Sequence, residues 1–382
     1  VTGPDIIFFW IARMVVSGYM LKDQKPFENV YFTGIVRDNQ RRKMSKQLGN
    51  SPDPIQLINK YGADSVRIGL LFSAPAGNDL LFDENLCVQG RNFSNKIWNA
   101  YRLIEGFNIS ENNSISDHSE KALLWFDNRL QSTLKEIDSC FEKFRISDAL
   151  MIIYKLVWDD FCSIFLEIVK PSSGEAISKK SAVSTKKYFS EILTILHPFM
   201  PFLTEELFSE INKTNRSISD EASWPKFKKT DINFINDFDH IIDVVSNIRK
   251  FKKTKNISFK EEFMIYHDNH IIDIGFSSVV NKLTGCKIVY SSKSHDGLTS
   301  VLVGKYKYHF DYKEEMSLEN IKDLEKSLEY NLGFKMIIEK KLSNDNFVNN
   351  APENVIQNER KKLEDVVEKI RLIKETLKNY TN

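Results

Sequence analysis

Between about residues 83 and 255, apolar positions recur at spacings of three and four. This predicts helices over 84–106, 119–142, 146–170, 181–197, 201–212 and 235–253. Polar stretches such as 108–116 and 170–184 separate them, and stripes of this kind bury themselves against one another, so a helical bundle is expected. Before it the pattern alternates. Ile7, Trp10, Ile11, Met14 and Val15 share one helical face through about Tyr19, with Asp5 placed to cap its start. Val30, Tyr31, Phe32, Ile35 and Val36 predict a buried strand over 29–36, and a basic polar loop runs from Arg37 to Asn50. Asp53-Pro54 then opens a helix that Gly62 closes, and Ala63-Asp64 opens another through about Phe72. Strand, loop and helix in this order suit the second half of an α/β nucleotide-binding fold.

After residue 256 the character changes again. Short β-like runs (Glu262–Tyr266, Lys287–Ser291, Thr299–Val303, Tyr306–Tyr312) among shorter helices predict a small α+β unit. At the end, Ile356, Leu363, Ile370 and Leu377 repeat every seven residues, with Val366 and Ile373 three further on. That is an a/d seam, and three heptads need a partner helix in this chain or elsewhere. The expected architecture is multidomain and mainly α. It comprises the C-terminal half of a Rossmann-like domain at 1–83, a helical bundle at 84–256, an α+β unit at 257–349 and a coiled-coil arm at 350–382.

Composition narrows the classes. With 42% hydrophobic and 27% charged residues the chain is a globular one rather than a disordered one. The apolar run Ile6–Leu21 is broken by Arg13 and falls short of the ~20 residues of a bilayer span, so no membrane partner is expected. Four dispersed cysteines (Cys87, Cys140, Cys162, Cys286), with no Cys-x-x-Cys pair, argue against a disulfide framework or a zinc site and for a reducing, cytoplasmic setting. The 53 basic residues nearly cancel the 52 acidic ones, so a nucleic-acid partner would have to use local patches. The chain opens Val-Thr-Gly-Pro-Asp without a Met, which reads as the middle of a longer protein.

The loop Arg41-Arg42-Lys43-Met44-Ser45-Lys46-Gln47-Leu48-Gly49-Asn50 carries the chemistry. Two ammonium groups three residues apart on a flexible loop can follow phosphate oxygens as charge builds on them. A solvated basic loop would carry the same letters. The surroundings decide between the two. Lys43-Met44-Ser45-Lys46-Gln47 resembles the KMSKS loop of class I aminoacyl-tRNA synthetases, and Asp53-Pro54 and Tyr61-Gly62-Ala63-Asp64-Ser65-Val66-Arg67 follow in that family's order. Thr2-Gly3-Pro4-Asp5 through Trp10, Ala12-Arg13-Met14, Ala74–Asp79, Arg91–Asn99, His197-Pro198-Phe199-Met200-Pro201-Phe202, Lys341–Asn344 and the heptads resemble the valyl branch in particular.

The resemblance implies an ATP-dependent ligase that activates valine and transfers it to tRNA(Val), with magnesium arriving on ATP and no protein-bound metal in this stretch. It implies that Lys43 and Lys46 contact the ATP phosphates and that Ser45 fixes the loop. It also implies that Gly3, Asp5, Gly34, Val36 and Met44 surround the nucleoside, and that Trp10 packs on valine. Catalysis would be positioning and electrostatics, because the attacking carboxylate is already ionised. Gln47 departs from the usual last Ser of the loop, and no His-x-Gly-His motif is present, so the chain alone is expected to be inactive and monomeric.

Single-stranded bases are read by stacking and by their edges, which singles out Asn95, Trp98, Asn99, Arg129, Phe144 and Arg145 on the bundle. Phosphate contacts would come from Arg249, Lys250 and Lys253, and from Arg360 and Lys361 on the coil. The alternatives are a stand-alone tRNA-binding module with a vestigial loop, or an isoleucyl relative, whose cysteine-rich zinc ends this chain lacks.

Overall fold

A computed structural model describes residues 1–73, 78–267, 273–291, 298–304, 306–312 and 318–343, and, from the last helix, 356–364, 366, 367, 370, 371 and 374. The chain forms two compact units, Val1–Asp311 and Tyr312–Asn382.

The first unit begins with a helical segment that tightens and then widens: a 3-10 turn Pro4–Ile6, a π-helical turn Ile7–Ile11 and α1 (Ala12–Lys22). Gly3, not Asp5, occupies the cap position, and Asp5 sits in the first turn with its carboxylate free to reach elsewhere. Pro4–Lys22 is long and apolar enough to cross a membrane by length and composition, the one such helix among the described residues. Phe8, Phe9, Trp10, Met20 and Leu21 lie exposed along it.

The strand expected over 29–36 is mostly absent. Thr2 pairs with Phe32 at a single parallel bridge, and only β1 (Val36–Arg37) has a ladder, parallel to β2 (Leu80–Leu81). Extended backbone becomes a strand only where a neighbour accepts its hydrogen bonds, and among the described residues few neighbours are there. The two helices after the loop match the sequence closely. Asp53 accepts from Ile55 N at 2.9 Å to cap α2 (Pro54–Tyr61), Gly62 ends it, and α3 (Ala63–Phe72) follows.

The bundle is built from α4 (Glu84–Glu105), α5 (Asp117–Glu142), α6 (Ile146–Lys155), α7 (Leu166–Val169), α8 (Lys179–Leu196), α9 (Pro201–Asn212), the single turn α10 (Ile218–Glu221) and α11 (Ile232–Thr254). Between α6 and α7 the helix continues in π form over Leu156–Phe165. Short parallel strands β3 (Ile109–Ser110) and β4 (Ile177–Ser178) tie two connections together. Burial on aromatic planes holds the core. Trp125 stacks on Phe238 of α11 with centroids 4.5 Å apart, and Phe126, Phe161, Phe165 and Phe189 pack fully buried beside them.

Three contacts weld α3 to the bundle. A Cβ on Gly90 would lie 2.3 Å from the Ser65 carbonyl, so only glycine allows α4 to approach α3 this closely. The buried Asp64 carboxylate accepts from Leu203 N at 2.7 Å at the start of α9, while Arg67 donates to the carbonyls of Pro198 and Phe199 at 3.0 and 3.1 Å. Burial raises the Asp64 pKa, and those amides oppose it.

Beyond α11, β5 (Met264–His267), α12 (Asp273–Thr284), β6 (Lys287–Tyr290), β7 (Thr299–Val303) and β8 (Tyr306–Asp311) form a four-stranded sheet in the order β6-β5-β8-β7. Strands β5 and β6 run parallel, with α12 as crossover, and β8 is antiparallel to both neighbours.

The second unit is a helical hairpin of α13 (Leu318–Leu342) and a helix from residue 356. Ile338, Val366 and Ile370 are buried together, with Leu328, Leu342 and Leu363 packed on them. Lys341 Nζ lies 3.9 Å from Glu359 at the near ends of the two helices, so they run antiparallel. The heptad seam thus finds its partner in this chain. Ile373 and Leu377 lie outside the described residues.

Candidate functional site

The basic loop is held in shape by its own polar residues. Asp38 accepts from Gln40 N at 3.0 Å, Arg42 N at 2.9 Å, Arg42 Nε at 2.8 Å and Asn50 Nδ2 at 2.9 Å. The Asn50 amide, followed by the Arg42 and backbone donors, holds the Asp38 carboxyl well below the usual carboxylate range. Asn50 also takes the Ser45 N–H on its Oδ1 at 2.9 Å, and Ser45 Oγ accepts from Leu48 N at 3.2 Å. Met44 N donates to Val36 O at 3.2 Å, closing the loop back on β1.

The base of the loop is pinned from the other side. Arg37 pairs with Asp79, whose other oxygen accepts from Ile35 N at 3.2 Å. Gly34 lies so close to this edge that a Cβ there would sit 1.7 Å from the Asn78 carbonyl. Asp38, Asn50, Arg37 and Asp79 were not among the candidates from sequence. The signal was there for two of them, since Asp and Asn flanking a loop are its usual hydrogen-bonding residues.

The loop brings Lys43 Nζ to 3.0 Å from Asp5 Oδ2, joining candidates 38 residues apart. Both side chains are roughly half exposed. Lys46 points into solvent and makes no hydrogen bond or ion pair among the described residues. Gly3 lies next to the same carboxylate: a Cβ there would meet Asp5 Oδ1 at 2.7 Å. Trp10 is 57% exposed and lines a groove of about 420 Å³ with Phe9, Arg13, Met14 and Leu21.

On the bundle, the buried stripe of α4 is Cys87, Gly90, Phe93, Ile97, Ala100 and Ile104. Trp98 sits on the opposite face, 42% exposed, between the exposed Asn95 and Asn99, with its ring 5.8 Å from that of Tyr101. Arg102, one turn on, is also exposed, and sequence reasoning missed it. A tryptophan off the apolar stripe is the signal that could have found the whole face.

The other bundle candidates divide. The Arg129 guanidinium is turned inward, paired with Asp239 and 3.7 Å from Asp160, with Trp125 beneath it at 5.9 Å. Phe144 stands at φ 56° in the α5–α6 turn, 6.3 Å from the Tyr31 ring, and Arg145 bonds to Asp148 at 2.5 Å.

At the end of α11, Lys250 and Lys253 are exposed, whereas Arg249 donates to Leu283 O at 3.1 Å. Lys252 is fully buried, donating to Phe259 O at 3.1 Å, Thr284 O at 2.8 Å and Glu261 O. It continues the stripe Ile241, Val244, Val245 and Ile248, which the spacing alone would have revealed. On the hairpin, Arg360 and Lys361 face outward.

Three stretches of the chain match known protein families. Residues 1–83 match the family described as tRNA synthetases class I (I, L, M and V), which includes the apolar helix Pro4–Lys22. Residues 124–267 match the anticodon-binding domain of tRNA ligase, and residues 319–380 the valyl tRNA synthetase tRNA binding arm. The arm match thus takes in α13, which the sequence pattern had grouped with the α+β unit. A valine–tRNA ligase of Christiangramia forsetii is 47% identical over 386 aligned positions, covering 100% of this chain and 44% of that protein. One of Bacteroides thetaiotaomicron is 43% identical over 385 positions, covering 99% of this chain and 44% of its own length. The chain therefore spans less than half the length of the curated relatives it matches, and it aligns with their C-terminal region. Among solved structures, a ternary complex of Agrobacterium radiobacter K84 agnB2 LeuRS-tRNA-LeuAMS aligns at TM-score 0.45 and 20% identity, over 61% of this chain and 28% of that one. Identity of this extent with valine–tRNA ligases sets the isoleucyl alternative aside, and the chain resembles the C-terminal region of valyl-tRNA synthetases along its whole length.

Proposed function

We propose that this chain carries the tRNA-docking surfaces of a valine–tRNA ligase, together with the phosphate-binding loop of its adenylation site. In that reaction the valine carboxylate attacks the α-phosphorus of ATP and pyrophosphate leaves, after which the valyl group passes to tRNA(Val). Magnesium enters with ATP as part of the substrate.

In this reading Lys43 and Asp5 hold places that ATP takes over. The ammonium goes to a phosphate oxygen and the carboxylate accepts from the ribose hydroxyls, so one ligand replaces both halves of the pair. An exposed ion pair contributes only about 0–1 kcal/mol, which makes this exchange cheap. Lys46, without a partner among the described residues, follows the charge that builds on the leaving pyrophosphate. The Asp38–Asn50–Ser45 bonds keep the loop's backbone in place while its lysines move. Gly3, Gly34, Val36 and Met44 present main chain to the nucleoside, and Trp10 faces valine from its groove. Completing the site falls to the remaining length of the relatives, so the chain alone does not activate valine.

The observation that carries the tRNA half is the solvent-facing strip Asn95, Trp98 and Asn99 on α4. It offers a stacking plane flanked by amides that can bond base edges. Lys250, Lys253, Arg360 and Lys361 would supply backbone contacts. The test is fluorescence anisotropy of this chain with valine tRNA, the same transcript with its anticodon changed, and isoleucine tRNA, across a salt series. The reading expects about a 10-fold preference for valine tRNA, or about 1.4 kcal/mol. Equal binding to all three, lost steeply with salt, would reduce the chain to a backbone binder.

A further inference from the structure

Away from the α4 face, a polar cavity of about 810 Å³ opens where three segments meet: residues 112–119 entering α5, residues 170–178 entering α8, and the last turns of α12. Three basic groups converge on it. Lys282 is half-buried and makes no ion pair or hydrogen bond among the described residues. Lys170 is anchored to Glu167 at 2.6 Å, and the half-buried His118 ring bonds Ser116 Oγ through Nε2 at 3.0 Å. Burial lowers the pKa of Lys282, opposed by Glu175, and Lys170 lowers it further; burial and then Lys282 lower that of His118. Lys282 and Lys170 are like charges held near one another, with Glu167 paired to Lys170 and acting on Lys282 as well.

Of the acids nearby two are engaged, and Glu175 lines the cavity and acts on Lys282. Glu167 holds Lys170, Asp117 holds Lys121 and Ser278, and Glu175 is exposed. Hydroxyl and amide groups such as Ser114, Ser172, Asn112 and Asn281 make up much of the remaining lining, beside the apolar Val169, Pro171, Ala176 and Ile177. Ammonium groups with hydroxyl and amide donors around them suit a phosphate, and the volume leaves room for an attached nucleoside.

We propose that this cavity is a nucleotide-phosphate site, with Lys282 and Lys170 as its cationic contacts. The phosphate comes either from a free mononucleotide or from the tRNA backbone. The free-nucleotide arm is independent of the anticodon assignment, whereas the backbone arm rests on tRNA docking.

The full chain would be titrated with AMP and with inorganic phosphate by calorimetry, and with valine tRNA by anisotropy across salt. Wild type, Lys282→Gln and Lys282→Arg would be compared, each first checked for an unchanged thermal midpoint. Saturable AMP or phosphate binding weakened at least 10-fold by Lys282→Gln and restored by Lys282→Arg supports the free-ligand source. No free-anion binding, but a tRNA salt slope reduced by about 1 in Lys282→Gln and restored in Lys282→Arg, supports the backbone source. Unchanged behaviour in both titrations overturns the proposal. So does a loss that Lys282→Arg fails to restore at an unchanged midpoint.

Discussion

Lys252 offers the sharpest test of the packing behind the docking surfaces. It is the fourth residue of Arg249-Lys250-Phe251-Lys252-Lys253, yet its ammonium is fully buried on three main-chain carbonyls and lies 5.4 Å from the Phe263 ring centre. Those carbonyls belong to the turn before β5 and to the end of α12, so one side chain fastens α11 to the sheet. Lys252→Met keeps the stem and removes the donors. Phe259 and Glu261 lie in exposed stretches where water can replace the ammonium, but Thr284 is buried, and its carbonyl keeps only the weak Cys286 thiol donor at 3.8 Å. A buried acceptor without a strong donor costs about 1–3 kcal/mol, and hydrogen bonds to a charged group contribute about 1.5–3 kcal/mol each. Shedding the desolvation cost of the lysine offsets part of that sum, leaving an expected loss of about 2–4 kcal/mol. The neighbouring exposed Lys253→Met should stay within about 0.5 kcal/mol of wild type. The assay is urea unfolding followed by tryptophan emission, because all five tryptophans lie in Val1–Asp311 and report on that unit alone. Equal midpoints for the two variants, at an unchanged slope, would refute the claim that Lys252 is an internal fastener.

Two further outcomes are expected. Burial first, then the Asp239 charge, raise the Asp160 carboxyl to about 6 against the opposing pull of Arg129, from an ordinary value near 3.8. The folded chain therefore keeps a proton that the unfolded chain releases, so this group's contribution to stability falls as pH rises from about 4 to about 6. Asp160→Asn should remove that slope and gain at most about 3 kcal/mol above pH 6, read as the difference between the two variants' urea midpoints across pH. A parallel pH profile in both proteins would show that the carboxyl titrates normally. Gly34→Ala should force β1 from β2 and cost about 1–3 kcal/mol or more. Hydrogen exchange would report it as faster exchange at the Leu80 and Phe82 amides, which donate to Ile35 and Arg37. Unchanged protection there would mean that the edge tolerates the methyl.

The sequence made the helices legible because their signals are local. The Asp53 cap, the Gly62 stop and the stripes of α4, α5 and α9 each lie within a few residues of what they determine. The strand over 29–36 was misjudged because apolar runs do not reveal whether a ladder partner exists, and here the ladder is confined to two residues. Asp5 was read as a cap by position, but its carboxylate turns to Lys43, a contact 38 residues away that no local pattern contains. Naming Arg249 beside Lys250 and Lys253 as a phosphate contact ignored helical phase: Arg249 spends a donor on Leu283, and Lys252 between them shares the face of Val245 and Ile248. Arg129 failed as an accessible candidate for the same kind of reason, since both of its acidic partners are remote in sequence. The loop lysines were found through motif resemblance. The residues that shape the loop, Asp38 and Asn50, carried only a generic turn signal in the sequence, and it is the fold that joins them to each other and to Ser45.

The most direct test of the account is a titration of valine tRNA and its anticodon-changed transcript against wild type and Trp98→Ala at one moderate salt concentration. Stacking of a base on an aromatic side chain is worth about 1–3 kcal/mol by alanine substitution. The account predicts that wild type discriminates about 10-fold, that Trp98→Ala loses most of that preference, and that both retain the same salt slope. If Trp98→Ala keeps the full preference, or wild type shows none, base recognition does not lie on the α4 face.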